Sequence, residues 1–298
     1  MVEATLGYSI RRFDSVSEMA HLSGSRAALV AVSERATCDI AELLAREKFA
    51  QYIEKPMATD VVAAIKLLDA ISISGQATVL GENFRYQERF ARIRSAFANS
   101  GHPKVTHISS LDRLRRGARD TPRSDLELLR EQIVHVSSVI RLLLGEEIAL
   151  VESAVEYYRG TAREFQVTAS SASGIPIDMR LEFVNTWSED RYALTMGAGS
   201  SIEIKHDYNH RTAKYTDRIE TWTSEDDAIR FEDIVDAPSG MEALWSHFVE
   251  SINTKSGPDI FGLREAVRDV QFREAVTIAL ETTRAVRIPT LFAYPDPR

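Results

Sequence analysis

The chain has 298 residues, enough for one large domain or two ordinary ones. Its hydrophobic share of 44% and charged share of 27% are those of a soluble globular protein. A formal charge of -8 argues against nucleic acid as a partner, and no apolar run reaches the ~18 residues of a membrane span.

Met1 to Tyr8 has neither a basic n-region nor an apolar h-region, so no secretory signal is expected. Cys38 is the one cysteine, which rules out an intrachain disulfide and fits a cytoplasmic protein. It reads as a buried structural thiol.

Ser15 and Glu18 form a capping box ahead of a short helix that Gly24 stops. The apolar run Ala27 to Ser33 predicts a strand buried on both faces of a parallel sheet. A helix from about Cys38 to Lys48 follows, then a short strand at Gln51-Tyr-Ile53. Thr59 is the expected cap of a helix carrying Val61, Val62, Ala64, Ile65, Leu68 and Ile71 at helical spacing. Another strand covers Ala77 to Asn83. Strand and helix thus alternate over the first eighty residues or so, the pattern of a parallel α/β sheet.

The pattern then changes. Phe84 to Phe97 reads as helix, and a polar stretch runs from about Asp112 to Ser124. The basic residues Arg113, Arg115 and Arg116 are interleaved there with acidic ones, which reads as a solvated loop. A strongly apolar helix spans Leu126 to Leu144 and stops at Gly145. From about Ala149 to Thr223 apolar and polar residues alternate, which argues an antiparallel sheet with one covered face. Two helices, about Met241–Ile252 and Leu263–Thr283, and a strand at Val286-Arg-Ile288 close the chain. The expected fold is an incomplete Rossmann-like parallel sheet over residues 1–81. Residues 82–298 would form an α+β domain with a large, mainly antiparallel sheet covered by helices on one face.

Four blocks in this order resemble the Gfo/Idh/MocA family of oxidoreductases. Ile53-Glu-Lys-Pro-Met-Ala58 resembles its Glu-Lys-Pro motif, and Glu82-Asn-Phe-Arg-Tyr86 the segment linking its two domains. His135-Val-Ser-Ser-Val-Ile-Arg-Leu-Leu-Leu-Gly145 resembles its active-site helix, His-x-x-Asp-Leu-x-x-x-Leu-x-Gly. The tail from Phe248 through Arg264 to Pro289 is similar to its closing helices.

The resemblance implies NAD- or NADP-dependent hydride transfer on a sugar, inositol or related polyol or ketone. It also implies a homodimer through the open face of the C-terminal sheet; the alternation leaves Tyr157, Phe165, Phe183, Trp187 and Tyr192 as candidate face residues, and which of them point outward depends on register. Lys55, at the mouth of a cleft by the sheet edge, would hydrogen-bond the reacting oxygen. His135, with an ordinary pKa of ~6.5, would take the proton. Glu131, one helical turn earlier, would orient the imidazole. Glu54, Lys55, Pro56 and Ser33 are the candidate cofactor contacts, and Asn83, Arg85 and Ser138 the candidate substrate contacts. Ser138 stands where the family pattern has Asp.

Two features depart from that pattern. No Gly-x-Gly-x-x-Gly turn precedes the Ala27 strand, and fewer residues stand before it than the ~30 of a βαβ unit. After that strand, Ser33-Glu-Arg-Ala-Thr-Cys38 replaces the family's Thr-Pro-x-x-x-His. A non-catalytic descendant, serving as a small-ligand-binding or dimeric interaction module, is therefore the alternative. His206 and His210 stand four apart, but between strands, so a polar loop is expected there and no metal site.

Overall fold

The structure is a computed structural model that describes residues 13–22, 26–99, 104–115, 125–159, 162–184, 189–209, 214–223, 228–235 and 239–292. Helix α1 (Val16–Leu22) leads into β1 (Ala27–Val30), α2 (Glu34–Arg46), β2 (Ala50–Ile53), α3 (Val61–Ser74) and β3 (Thr78–Leu80). The three strands form one parallel sheet in the order β1-β2-β3. Its core joins Ile53, Leu44, Leu67 and Ile71 from the sheet and its helices. Gly75, in the left-handed region with φ 67, ends α3.

A 3-10 turn (Asn83–Tyr86) and α4 (Glu88–Asn99) lead to β4 (Val105–Arg115) and then the long helix α5 (Asp125–Leu144). Strands β5 (Ile148–Arg159), β6 (Ala162–Ser171), β7 (Pro176–Val184), β8 (Glu189–Met196), β9 (Ser201–Asn209), β10 (Lys214–Thr223) and β11 (Ala228–Val235) follow. Helices α6 (Met241–Thr254) and α7 (Ile260–Thr282) and strand β12 (Val286–Arg287) complete the order. The large sheet has nine strands in the order β11-β10-β9-β8-β4-β7-β6-β5-β12. β4 and β7 pair in parallel, and its other described pairs are antiparallel.

Alternation sets the two faces of this sheet. Phe165, Val167, Ile177, Met179, Leu181, Phe183, Tyr192 and Leu194 point inward, onto Ile133, Val136 and Ile140 of α5 and Phe272 and Val276 of α7. Of the five candidate face residues, whose facing the sequence left open, Phe165, Phe183 and Tyr192 lie in the core. A one-residue change of register sends a side chain to the opposite face. Tyr157 is exposed, and Trp187 lies outside the described residues. The open face instead carries an ion-pair ladder. It runs Glu164, Arg180, Glu182, Arg113, Glu189, Arg191, Glu203, Lys205, Glu220, with N–O distances of 2.5–3.3 Å.

Helix α7 belongs to both cores. Leu263, Ala266, Val267 and Val270 pack with the small sheet, and Phe272, Ala275, Val276 and Ala279 with the large one. A helix covered on opposite sides needs apolar residues all round, so it shows no single stripe. Helix α6 also leans on the small sheet, where Trp245 stacks on Tyr52 at 4.4 Å between ring centroids.

Several expectations need correcting. The solvated loop at Asp112–Arg115 is the second half of β4, with Arg113 paired to Glu182 and Glu189; residues 116–124 lie outside the described ones. Asp112 is 8% exposed and faces Asp190 directly across the β4–β8 ladder. Burial, then the charge of Asp190, pushes its pKa up to about 8 against the pull of Arg89. His206 lies on β9 and bonds Asp217, so a strand replaces the expected polar loop; His210 lies outside the described residues. Leu29 of β1 is 54% exposed, so that strand is not buried on both faces. Asp60, not Thr59, caps α3, accepting from the Ala63 amide at 2.8 Å. At α1 the Ser15 hydroxyl accepts from the Glu18 amide at 3.1 Å as the capping box requires, while the Glu18 carboxylate accepts from the Asp14 amide, one residue before the expected partner. Cys38, by contrast, is the buried thiol expected; it donates to the Met57 carbonyl, and burial pushes its pKa up to about 11.

Candidate functional site

Lys55 follows β2 at the carboxyl edge of the parallel sheet, where open α/β sheets collect ligands, and its bond to Pro56 is cis. The side chain is 3% exposed, so its amine sits inside a cluster rather than at the mouth of a cleft. Nζ lies 3.6 Å from Glu82 Oε1 and 3.9 Å from Asp269 Oδ2. It donates to Ser138 Oγ at 3.4 Å and stands 4.9 Å from the centre of the Phe84 ring.

Three elements build this cluster. The segment after β3 supplies Glu82, Phe84 and Arg85, whose Nε is 2.7 Å from Glu82 Oε2. Helix α5 supplies Ser137, Ser138 and Arg141, spaced so that all three meet α7. Helix α7 supplies Glu265 and Asp269. Asp269 accepts from Ser137 Oγ at 2.7 Å, from Arg141 Nη2 at 2.8 Å and from Ser138 Oγ. Arg141, 1% exposed, also reaches Glu265 through Nε at 3.2 Å.

The electrostatics divide the two carboxylates. Burial works to raise the pKa of Asp269, but Arg141, Lys55 and the two serine hydroxyls together hold it below the usual carboxylate range. Burial raises the pKa of Glu82 and prevails over the nearby cations Arg85, Lys55 and Arg141. Neither Glu82 oxygen makes a well-formed hydrogen bond, so its pairing is ionic only.

His135 sits one turn before Ser138 and is partly buried. Burial, then the neighbouring Lys55 charge, lowers its pKa to about 3, with Asp269 pulling the other way. An ordinary imidazole pKa near working pH is therefore not what this site provides. The ring is neutral at physiological pH and offers one donor and one acceptor.

The other expected residues divide into those joined to the cluster and those placed elsewhere. Arg85 joins it through Glu82 and lies over the Phe261 ring at 4.9 Å. Glu131 is partly buried one turn before His135 on α5. Asn83 turns away, and its amide donates to the Ser239 carbonyl at 2.8 Å. Glu54 leans on Gly81, where an added Cβ would stand 2.8 Å from its Oε2. Ser33 is exposed at the start of α2, and its carbonyl accepts from the Ala36 and Thr37 amides.

Glu82, Arg141, Glu265 and Asp269 were not expected at this site. Their sequence signal is faint. On α7, Glu265, Arg268 and Asp269 interleave with Leu263, Ala266, Val267 and Val270, so a helix buried by its apolar residues must bury those charges too.

The dinucleotide that the fold implies can be tested against the described βα turns. Pyrophosphate needs glycine-rich backbone and unpaired amides at a helix N-terminus. The β1–α2 turn, Ala31-Val-Ser33, has no glycine, and the first turn of α2 carries Glu34, held by Arg273. The β2–α3 turn, Glu54 to Asp60, also lacks glycine, and its helix amides are capped by Asp60 and by Glu274, which accepts from Val61 at 2.8 Å. These turns do not fit a pyrophosphate.

The chain joins a small parallel sheet, with Lys55 at its edge, to a large, mainly antiparallel sheet. This is the Gfo/Idh/MocA-type fold, as solved structures show. A structure from Desulfitobacterium hafniense, described as an NADPH-dependent oxidoreductase, has a TM-score of 0.78 at 13% identity, with 96% of this chain and 86% of that one covered. Aldose-aldose oxidoreductase from Caulobacter crescentus, complexed with glycerol, has a TM-score of 0.74 at 16% identity over 96% and 87% of the two chains. UDP-N-acetylglucosamine 3-dehydrogenase from Acidithiobacillus ferrooxidans has a TM-score of 0.73 at 17% identity over 94% and 85%. No protein-family model matches the chain, and no curated protein matches it in sequence. Among the described residues no helix is long and apolar enough to cross a membrane.

Proposed function

We propose that the chain acts on the hydroxyl or carbonyl group of a sugar, inositol or related polyol as a Gfo/Idh/MocA-type oxidoreductase, with NAD or NADP as its cofactor. The observation that carries this reading is the Lys55 ammonium, held by Glu82, Ser138 and Asp269 beside the helix that bears His135. An ammonium fixed in a dry, ion-paired setting donates to a developing alkoxide without reorganising. His135, kept neutral by burial and that same cation, can accept a hydrogen bond from the substrate hydroxyl. A substrate that takes up part of the Lys55 charge relieves the smaller of the two effects that depress the imidazole pKa, the larger being burial. Glu131 lies one turn before His135 on α5, and Arg85 pairs with Glu82.

The test is a fluorescence titration with NADH and NADPH, followed by turnover with aldoses, inositols and other polyols. Saturable binding of one dinucleotide and turnover lost on Lys55→Met, by at least ~100-fold, support the reading. Absence of dinucleotide binding would remove it. The misfit of the β1–α2 and β2–α3 turns to pyrophosphate favours a second reading, a non-catalytic protein of this fold that binds a small polyol. In that case polyol binding persists without any dinucleotide, and Lys55→Met leaves the protein's biological activity intact.

We also propose a homodimer through the open face of the large sheet. The ion-pair ladder supports it, because a row of alternating charges is complementary to its own two-fold copy.

A further inference from the structure

The Lys55 amine has two anionic neighbours of unequal kind. Glu82 offers only ionic contact, with neither oxygen in a well-formed hydrogen bond. On the other side a directed chain of hydrogen bonds runs from the amine. Lys55 donates to Ser138 Oγ at 3.4 Å, and the Ser138 hydroxyl donates in turn to Asp269. A hydroxyl has one proton to give, so once it faces Asp269 only its lone pairs remain for the amine, and the direction of the chain is set. The second oxygen of Asp269 is held by Ser137 and Arg141, which prevents the carboxylate from swinging away. Serine and aspartate are both buried, and they come from different helices, α5 and α7.

We propose that Asp269 is the positioning residue for the Lys55 amine, acting through Ser138. The carboxylate works at one remove, from α7, and the hydroxyl on α5 relays it. This deepens the oxidoreductase reading above and rests on its assignment of Lys55 as the substrate-facing amine. The alternative is purely structural: Asp269 would merely neutralise Arg141, and the amine would be placed by Glu82.

The two possibilities separate in a swap. Ser138 and Asp269 touch, so the double variant Ser138→Asp/Asp269→Ser keeps the cluster's charge and volume. It also puts the carboxylate on the nearer helix, where Ser138 Oγ is 3.4 Å from Nζ against 3.9 Å for Asp269 Oδ2. The readout is the Nζ–Hζ spectrum of protein labelled with 15N at its seven lysine side chains, with Lys55→Arg assigning the peak. A slowly exchanging Lys55 peak is expected in the natural chain. Asp269→Ser should speed its hydrogen exchange at least tenfold or erase it, and the swap should restore it.

Ser138→Ala, which keeps the Asp269–Arg141 pair, should also speed exchange and so reports on the relay even where Asp269→Ser does not fold. A Lys55 peak unmoved by Asp269→Ser or by Ser138→Ala overturns the proposal, as does a swap that restores nothing. Turnover adds a second readout. Positioning predicts a fall in kcat with KM nearly unchanged in Asp269→Ser, and recovery in the swap. A protein with no turnover on any polyol defeats the oxidoreductase reading and leaves the spectroscopic result standing by itself.

Discussion

Acidification should weaken the fold through His135, and the size of the effect follows from the site. The imidazole titrates near 6.5 when unfolded and at about 3 when folded, because burial and then the Lys55 cation oppose its charged form. Its folded pKa is depressed, so between those two values the unfolded state binds more protons. The associated stability is complete above pH ~6.5 and is lost as pH falls toward 3. From pH 7 to pH 5 the loss spans roughly 1.5 pH units below the unfolded pKa, or about 2 kcal/mol at ~1.4 kcal/mol per unit. Water that reaches this partly buried residue screens the effect, so ~1–2 kcal/mol is expected.

The assay is urea unfolding of the natural chain and His135→Gln at pH 7 and pH 5. Other titrating groups contribute to both proteins, and the difference between them isolates the imidazole. The natural chain should lose ~1–2 kcal/mol more than the variant on acidification. Equal losses, or an imidazole NMR titration with a midpoint near 6.5, would refute the reasoning.

Three further outcomes follow. Arg141→Ala removes the shared partner of two buried carboxylates, Asp269 and Glu265, and should cost about 3–5 kcal/mol in urea unfolding, whereas a loss under 1 would show the cluster to be self-sufficient. Gly240→Ala adds a Cβ 2.2 Å from the Asn83 carbonyl oxygen at a residue with φ 79, so a loss of ~2 kcal/mol or more is expected from thermal or chemical melts. Arg113→Glu with Arg191→Glu turns the centre of the ladder uniformly acidic. Sedimentation velocity should then show monomers, and an unchanged dimer would refute the proposed face.

Much of the architecture was readable in the chain. The alternation of strand and helix up to Leu80 and the apolar run of α5 carry periodicities that survive without knowledge of their neighbours. β4 escaped because its inward residues include Ser110 and Asp112, so half the strand reads as polar. Phe165, Phe183 and Tyr192 were legible as members of strands, but which face they took was not. Facing depends on register, which is a property of paired strands and not of one segment.

The site divides in the same way. Lys55, Arg85, His135 and Ser138 could be proposed from the order of four short blocks, since each block keeps its residue types locally. Position 138 looked like a lost carboxylate, because the residue that supplies one lies 131 positions further along the chain. Only the packing of α7 against both α5 and the small sheet brings Asp269 to that serine. Only tertiary packing buries the imidazole of His135 and brings the Lys55 charge near it, which together lower its pKa to about 3. Local periodicity and residue type are written along the chain. Proximity and desolvation arise when distant segments exclude solvent together, and those two decided the charge states at this site.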